Sequence, residues 1–198
     1  MPTSVRITKD MILETAFQIA REKGQDGISN REIAKKMNCS IRPIYYQFKN
    51  VEELTKELYR KIENYFYEFL LNSITDEKTA YRQMGINYIK FAKEEKNLFK
   101  ILFMNESKDI PSDFIFDDSD GFNNLKKIIK DTTNLNENDI ESFHTKMWFF
   151  THGIATLVAS DTIELDDNQI QKLLISEFQA LMLLEENPNN KWVIKNDL

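Results

Sequence analysis

The 198-residue sequence contains few of the residues that end helices or cross-link chains: five Gly, four Pro and one Cys. The single Cys39 excludes an internal disulfide and a cysteine-based zinc site. The scarcity of Gly and Pro argues against a fold rich in β-turns. No apolar run approaches the roughly 18 residues of a membrane-spanning helix, and residues 1–6 lack the apolar stretch of a signal peptide. We therefore expect a cytoplasmic all-α protein with no membrane partner.

Positive charge is also scarce, because the net charge is −6. A uniformly acidic chain would repel nucleic acid. Residues 1–60, however, carry 11 Lys and Arg against 8 Asp and Glu, whereas residues 61–198 carry 15 against 24. The first part is thus at +3 and the second at −9, so only the first part is suited to approach DNA. The excess is weak by itself, since an ordinary solvated helical surface could produce it.

The spacing of apolar residues predicts nine helices. They cover residues 8–23, 29–37, 40–48, 50–70, 77–95, 97–106, 121–133, 137–161 and 167–186. Three belong to an N-terminal domain at residues 7–60 and six to a domain at residues 61–188, and the long fourth helix is shared by both. Residues 109–121 are predicted to be a loop, and residues 189–198 a loosely ordered tail.

Two short helices separated by a tight turn are predicted at residues 29–48. Ser29 and Glu32 have the spacing of a capping box, in which each side chain bonds the backbone N–H of the other residue. Residues 38–40 form the turn, and Ser40 is expected to cap the second helix. The inner faces are apolar, with Ile33, Ala34, Met37, Ile44 and Phe48, and with Cys39 as a small apolar residue in the turn. This arrangement is typical of the helix-turn-helix, whose second helix enters the major groove of DNA.

The outward face of the second short helix carries groups that suit DNA. It consists of Ile41, Arg42, Tyr45, Tyr46 and Gln47. A guanidinium such as that of Arg42 can bond two acceptors on the edge of guanine, while hydroxyls and the ammonium of Lys49 suit phosphate oxygens. Pro43 falls in the first turn, where its missing N–H costs little. The competing interpretation is that two short helices merely pack in a bundle.

Residues 7–60 resemble the TetR family of bacterial repressors, in register and without a gap. The resemblance is carried by Ile12-Leu13, Ala16, Lys23-Gly24, Ser29, Ile33-Ala34, residues 40–50 and Glu53-Leu54. Its most specific part is the closing pattern of Tyr45, Phe48, Lys49 and Asn50. The resemblance implies that five residues contact phosphates, namely Ser29, Arg31, Ser40, Tyr46 and Lys49. It implies that four others face bases or sugars, namely Ile41, Arg42, Pro43 and Tyr45.

Three positions depart from the residues that are usual in that family. Gln25 stands where an aromatic residue is common, Asn38 where the turn usually has Gly, and Gln47 where His or Tyr is frequent. Asn adopts a left-handed backbone more readily than most residues with a Cβ, so we expect the turn to form. Gln47 leaves the local contact with DNA open.

Past residue 60 the resemblance is weaker. Trp148 with His152-Gly153 is similar to the Trp/His-Gly signature of one TetR subfamily. In such proteins the last two long helices form a dimer interface, which here implies residues 139–160 and 167–184. The second of these ranges has more apolar residues than one narrow stripe, which suits burial against its own core and against a second copy.

The resemblance also implies a small-molecule effector, apolar or aromatic, bound between the helices of the acidic domain. The candidate lining is Tyr81, Met84, Tyr88, Phe91, Leu102, Phe103, Met104, Trp148, Phe149 and His152. Each of them could equally be an ordinary core residue. His144 and His152 share a helix face but have no carboxylate at ligand spacing, so we predict no metal site. No catalytic set or cofactor motif is readable, and we expect no enzymatic activity.

These patterns predict a homodimeric repressor that binds a palindromic operator in double-stranded DNA. A ligand that fits one arrangement of the body better would shift the population, move the long fourth helix and release the DNA. Two alternatives remain open: an all-α small-molecule carrier or enzyme with no DNA role, and a regulator controlled by protein contact rather than by a ligand.

Overall fold

The computed structural model of the chain describes residues 7–104 and 120–186. Within these ranges the chain consists of helices joined by short turns and contains no strand, which confirms the all-α prediction. The helices are α1 (Lys9–Lys23), α2 (Asn30–Lys36), α3 (Arg42–Gln47), α4 (Val51–Leu71), α5 (Glu77–Glu94), α6 (Lys96–Phe103), α7 (Asp120–Thr133), α8 (Glu137–Ala159) and α9 (Asp167–Glu186). We call α1–α3 the head and α5–α9 the body.

Three predicted segments fall wholly or partly outside the described residues. They are the tail at residues 189–198, most of the loop at residues 109–121, and the end of the helix at residues 97–106. That last helix ends at Phe103 as α6. The final two residues of the predicted loop already belong to α7.

Helix α1 is capped at both ends. The Thr8 hydroxyl accepts a hydrogen bond from the Met11 N–H at 3.3 Å. At the other end the Gly24 N–H bonds the Ala20 carbonyl at 2.8 Å, and Gly24 has a φ of +70°. A residue with a Cβ would be strained in that conformation, so a glycine suits this helix end. Between the caps, α1 turns one apolar face inward (Ile12, Ala16, Phe17, Ile19 and Ala20).

Helix α4 connects the head to the body. The Asn50 side chain caps it by accepting from the Glu53 N–H at 2.9 Å, and the Glu53 carboxylate accepts from the Lys49 N–H at 2.8 Å. The buried residues of α4 recur every four positions and form one stripe (Leu54, Leu58, Ile62, Phe66 and Leu70). This stripe packs on α1, α5 and α6. One continuous helix therefore takes part in both packing units.

Helix α5 lies at the centre of the body. It contacts α4, α6, α7, α8 and α9. Several of the largest side chains with almost no exposure are aromatic (Phe66, Phe91, Phe99 and Phe143). Burying each such ring contributes about 2–3 kcal/mol of hydrophobic free energy. None of the helices in the described part of the chain is long and apolar enough to cross a membrane.

The head and the body meet at a buried carboxylate. Glu95, at the corner between α5 and α6, is only 5% exposed. It accepts two hydrogen bonds from the Arg21 guanidinium, one of them from Nε at 2.7 Å, and a third from the Tyr65 hydroxyl at 3.0 Å. Asn97 on α6 donates to the Arg21 carbonyl at 3.0 Å. We call Arg21, Tyr65, Glu95 and Asn97 the junction cluster.

The junction cluster keeps its charge satisfied although it is buried. An unpaired buried carboxylate would cost several kcal/mol, whereas a forked pair with a guanidinium supplies both charge and hydrogen bonds. Burial and the neighbouring Glu95 raise the pKa of the Tyr65 hydroxyl, which therefore stays protonated as a donor. The hydrogen bonds that Arg21 donates to the Glu95 carboxylate raise the pKa of Arg21. The cluster thereby joins α1, α4 and the start of α6.

Candidate DNA-binding site

The turn between α2 and α3 has the hydrogen bonds of a Schellman motif. The Asn38 N–H bonds the Lys35 carbonyl at 3.1 Å, and the Cys39 N–H bonds the Ala34 carbonyl at 3.0 Å. Asn38 has a φ of +50°, the left-handed conformation that this motif requires. The expectation that the turn forms with Asn38 in place of the usual Gly is confirmed. Cys39 is half-buried and packs against the core.

The predicted capping box at α2 is half present. The Ser29 hydroxyl accepts from the Glu32 N–H at 3.1 Å, as expected. The Glu32 carboxylate does not reach back, because it pairs with the Lys23 ammonium at 2.7 Å. An ion pair with the end of α1 thus replaces the second cap bond and holds α2 against α1.

Helix α3 begins later than predicted. Ile41, not Ser40, is its N-cap residue, and no side chain caps it. The prediction that Ser40 caps this helix was therefore wrong. Pro43 lies in the first turn, where the helix requires no donor from it. Ser40 is exposed, so its hydroxyl remains free of a capping role.

Most of the residues expected to contact DNA are exposed. Tyr46 is 89% exposed and Tyr45 is 57% exposed, which is unusual for aromatic side chains. Arg31, Ser40, Arg42 and Lys49 are also exposed, while Ser29, Ile41 and Pro43 are half-buried. The side chains of Ile44 and Phe48 point the other way and are buried. Of the face of α3 predicted from the sequence, Arg42, Tyr45 and Tyr46 are therefore exposed to solvent.

Basic residues of the head and of the turn that follows it divide into two groups. In one group a carboxylate neutralises each cation: Lys9 with Glu57, Arg21 with Glu95, Lys23 with Glu32 and Lys36 with Glu22. In the other, Arg31, Lys35, Arg42 and Lys49 are exposed, and no carboxylate of residues 7–104 or 120–186 lies within ion-pair distance of them. Cations without protein partners are the ones available to phosphates and base edges.

Gln47 does not belong to the outward face. Its side chain is half-buried, and its amide Nε2 donates to the Ile7 carbonyl at 3.2 Å. The expectation that Gln47 faces outward with Arg42 and Tyr45 was wrong. The sequence gives no signal for this bond, since its two residues are 40 positions apart.

In the body, four of the ten candidate pocket residues meet at His152. The Tyr88 hydroxyl lies 2.9 Å from its Nδ1, and the Trp148 ring stacks on its imidazole with 4.7 Å between ring centroids. The centroid of Phe103 lies 5.8 Å from that of the imidazole. We call Tyr88, Phe103, Trp148 and His152 the aromatic cluster. Burial lowers the pKa of His152, which keeps the imidazole neutral at pH 7 and able to accept from Tyr88.

Two residues that the sequence did not single out pack on the aromatic cluster. Phe66 on α4 lies 5.5 Å from Tyr88 and 5.3 Å from Phe103 between centroids, and Phe99 on α6 lies 5.9 Å from His152. Both are fully buried. Their helical spacing marked them only as core residues, because spacing identifies a buried face but not what that face meets.

The other six candidate pocket residues do not contact His152, although the Phe149 ring lies 5.3 Å from that of Trp148 between centroids. Tyr81 bonds His144 Nδ1 at 3.0 Å, Phe91 packs on Phe66 at 5.0 Å, Leu102 is fully buried, Met84 is half-buried, and Met104 and Phe149 are exposed. Gly153 is exposed, and a Cβ added there would meet nothing within 4 Å. No helix of the described chain therefore packs closely against Gly153. Among the described residues there is no group of three or more His, Cys, Asp or Glu that could hold a metal ion.

A head with two short helices and a Schellman turn, fused to a helical body, defines a helix-turn-helix DNA-binding protein. Residues 12–58 match the model of the TetR family, described as bacterial regulatory proteins. These residues therefore form a helix-turn-helix domain of the TetR type.

The chain is similar to two curated relatives. It is 35% identical to IcaR of Staphylococcus epidermidis, the negative transcriptional regulator of the biofilm operon icaADBC, over 68 residues that cover 34% of this chain and 37% of IcaR. The match thus spans little more than a third of that relative. The chain is 22% identical to the HTH-type transcriptional regulator YobS of Bacillus subtilis over 187 residues, which cover 89% of this chain and 92% of YobS.

Solved structures share the fold along most of the chain. A TetR family transcriptional regulator from Vibrio parahaemolyticus superposes with a TM-score of 0.55 and 20% identity, covering 86% of this chain and 96% of that one. A TetR-like regulator from Rhodococcus sp. RHA1 superposes with a TM-score of 0.56 and 17% identity, covering 96% and 100%. The likeness therefore extends from the head into the body.

Proposed function

We propose that this chain is a transcriptional repressor that binds a palindromic operator through the exposed surface of α2 and α3. The observation that carries the proposal is that Arg31, Arg42 and Lys49 are exposed and form no ion pair with the described residues, while Tyr45 and Tyr46 on α3 are also exposed. IcaR, whose similarity lies in a stretch of 68 residues, is a negative regulator, which supports repression. The division into a DNA-binding domain at residues 7–60 and a regulatory domain at residues 61–188 belongs to this proposal.

The contacts divide by chemistry. Arg42 lies in the first turn of α3 and presents a planar fork that can bond O6 and N7 of guanine, while Ile41, Pro43 and Tyr45 offer apolar contacts to bases and sugars. Arg31 and Lys49 supply charge for phosphates, and the hydroxyls of Ser29, Ser40 and Tyr46 supply neutral hydrogen bonds. The Ser29 oxygen already accepts from Glu32, so its hydroxyl hydrogen is what remains for a phosphate.

The protein partner in this proposal is a second copy of the chain, bound through the body. Phe149, Gly153 and Leu157 recur every four residues on α8 and are exposed, with Phe149 at 61%. Leu173 and Leu183 are exposed on the neighbouring α9. Adjacent rows of exposed apolar residues mark interfaces, and the open space at Gly153 would let another helix approach closely. The dimer would hold two heads over successive major grooves, about 34–36 Å apart.

The effector proposed for this repressor is an apolar or aromatic small molecule that contacts the aromatic cluster. Helix α6 carries Phe103 of that cluster and Asn97 of the junction cluster. Helix α4 carries Phe66, which packs on the aromatic cluster, and Tyr65, which bonds Glu95. A ligand that displaces these rings would therefore move both helices that hold the head, and shift the population away from the DNA-binding arrangement. The protein would act in the cytoplasm on chromosomal DNA.

The test of DNA binding is selection from random sequence. Full-length protein is incubated with a library of randomised duplexes of about 30 base pairs, long enough for two half-sites, and the enriched duplexes are sequenced. DNA upstream of the protein's own gene is tested beside them by gel shift. We expect a palindrome to be enriched. If no sequence is enriched even at low salt, the chain is a carrier or an enzyme and not a DNA-binding regulator.

The effector is tested on the same duplex. A screen of apolar and aromatic compounds by thermal shift is followed by titration of the selected duplex with and without each stabilising compound. We expect at least one compound to stabilise the free protein and weaken DNA binding, since a ligand shifts an equilibrium by its difference in affinity for the two states. If every stabilising compound leaves DNA affinity unchanged, control by protein contact replaces control by a ligand.

Replacing Arg42 with Ala is expected to cost about 1–3 kcal/mol of binding free energy on the selected duplex and to relax specificity at one base step in each half-site. The reason is that a forked bond to guanine is lost while the head keeps its packing. The measurement is the affinity of wild type and variant for duplexes with each base pair changed in turn. Unchanged affinity for the selected duplex would remove Arg42 from base recognition.

Replacing Lys49 with Ala is expected to weaken all duplexes alike. The plot of log affinity against log salt should lose about 0.9 of slope for each phosphate contact removed. The matched control is Lys36→Ala, which removes a cation already paired with Glu22 at 2.6 Å and should leave the slope unchanged. A loss that depends on sequence would contradict the phosphate role of Lys49.

A further inference from the structure

The recognition helix α3 is fixed weakly at its start. It has six residues, too few to be stable alone. No side chain caps its first turn, and Pro43 contributes no N–H. Its first backbone bond runs from the Ile44 N–H to the Ile41 carbonyl at 3.2 Å. The orientation of α3 on the head is therefore set by the packing of the buried Ile44 and by the contacts at the other end of the helix.

The other end of α3 is tied to the start of α1. Gln47 Nε2 donates to the Ile7 carbonyl at 3.2 Å, which joins α3 to the residue just before the cap of α1. Phe48, the C-cap residue of α3, is buried, and its N–H bonds the Ile44 carbonyl at 2.9 Å. The Lys9 ammonium lies 5.0 Å from the centroid of the Phe48 ring.

The same ammonium reaches a third helix. Lys9 forms an ion pair with Glu57 on α4, and both side chains are partly shielded from solvent. One cation thus contacts the end of α3 through Phe48 and the first part of α4 through Glu57, while its own backbone begins α1. An ammonium held over an aromatic face and paired with a carboxylate contributes more than either contact exposed alone.

We infer that Gln47 and Lys9, together with Phe48, Glu57 and the Ile7 carbonyl, form a clamp that orients the recognition helix on DNA. Gln47 and Lys9 are positioning residues: the Gln47 amide bonds the Ile7 carbonyl and the Lys9 charge is paired with Glu57 on α4, whereas Arg42 and Lys49 have no such partner among the described residues. The inference rests on the proposed function for its DNA measurements, and on the free protein alone for its exchange measurement.

The first test uses Gln47→Met, which keeps the length of the side chain and removes the donor. On the palindrome selected by wild type, affinity should fall about five- to tenfold, because a dimer loses two neutral hydrogen bonds that orient α3. Affinity for a scrambled duplex of the same composition should stay within about twofold and the salt slope should not change, because no charged phosphate contact is lost. The matched control is Gln18→Met, since Gln18 bonds only Glu14 on the exposed surface of α1.

The second test uses the double variant Lys9→Met/Glu57→Gln, which keeps the net charge. It should also lower affinity for the palindrome and leave the salt slope unchanged. Discrimination is measured with each base pair of the palindrome changed in turn. A clamp predicts that discrimination weakens at every position read by α3. Discrimination lost at a single base pair in Gln47→Met, or a lower salt slope in the double variant, would show direct DNA contacts and overturn the inference.

The third test needs no DNA. In free Gln47→Met, hydrogen exchange at the Phe48 amide should become faster, while exchange at the Met37 amide, which bonds Ile33 in α2 at 2.9 Å, should not change. This comparison also shows whether the variant is folded. If wild type selects no palindrome, the proposed function fails. If exchange at the Phe48 amide is unchanged, or if both variants keep wild-type affinity for the palindrome, the clamp is contradicted.

Discussion

The Arg21→Met variant is expected to lose about 2–3 kcal/mol of unfolding free energy. Removing the guanidinium leaves Glu95, which is 5% exposed, with the Tyr65 hydroxyl as its one remaining partner among the bonds described for it. Breaking a fully buried ion pair costs about 3–5 kcal/mol, and the figure here is lower because the Arg21 side chain is about half exposed. The loss should fall on the contact between α1 and the α5–α6 corner.

The measurement is a double-mutant cycle of urea unfolding curves at one fixed protein concentration, since a dimer's stability depends on concentration. Glu95→Gln keeps an acceptor for Tyr65 and removes the buried charge. The double variant Arg21→Met/Glu95→Gln should therefore recover most of the loss. The control is Lys23→Met, two positions along α1, whose pair with Glu32 is exposed and should be worth less than about 1 kcal/mol. If the double variant is as unstable as Arg21→Met, the unpaired charge of Glu95 is not the cause of the lost stability.

Features that depend on near neighbours in the chain were predictable. Ser29 and Asn50 cap residues three positions away, Gly24 ends α1, and Asn38 takes the left-handed turn. In each case the residue type suits the conformation or the hydrogen bonds of backbone within about one helical turn of it. The exposed surface of α3 followed from the same logic, because Ile44 and Phe48 had to face inward.

Features that depend on distant pairs were not predictable. Arg21 and Glu95 are 74 positions apart, and nothing near either residue marks it as half of an ion pair. Gln47 was predicted to face outward because its position on α3 allows its side chain to point to solvent or towards the head. In the structure its amide bonds the Ile7 carbonyl instead. Glu32 had a local partner available and took Lys23 instead. A polar side chain can bond several alternative partners, and the sequence does not show which of these partners the fold places within hydrogen-bond distance.

The body shows the same limit for aromatic residues. Spacing placed Tyr81, Tyr88 and Phe91 on α5, but it could not separate their environments. In the structure Tyr88 meets the aromatic cluster, Phe91 packs on Phe66, and Tyr81 meets His144. Three residues with the same predicted role therefore have different neighbours. Of the three, Tyr88 alone belongs to the aromatic cluster, while Phe91 contacts Tyr65 of the junction cluster, with 6.1 Å between ring centroids.

Lowering the pH from 7 to 5 is expected to reduce the unfolding free energy by about 2 kcal/mol through His144 alone. His144 is 7% exposed, and burial lowers its pKa to about 4. The pKa in the unfolded chain is about 6.5. Between these values the unfolded chain binds a proton that the folded chain does not, so acid favours unfolding. Above the unfolded value both states are neutral, and below the folded value the full penalty of about 3 kcal/mol has been reached.

The neutral imidazole has a defined role in the fold. The Tyr81 hydroxyl lies 3.0 Å from Nδ1, and burial raises the pKa of Tyr81, so the phenol stays protonated and donates to Nδ1. A proton on Nδ1 would remove the acceptor of that bond. His144→Gln keeps an acceptor for Tyr81 and cannot become charged. Urea unfolding of both proteins at pH 7, 6 and 5 should show wild type losing about 2 kcal/mol more than the variant. If wild type and the variant lose the same stability, the group whose protonation destabilises the fold is not His144, and the bond between Tyr81 and His144 does not depend on pH in this range.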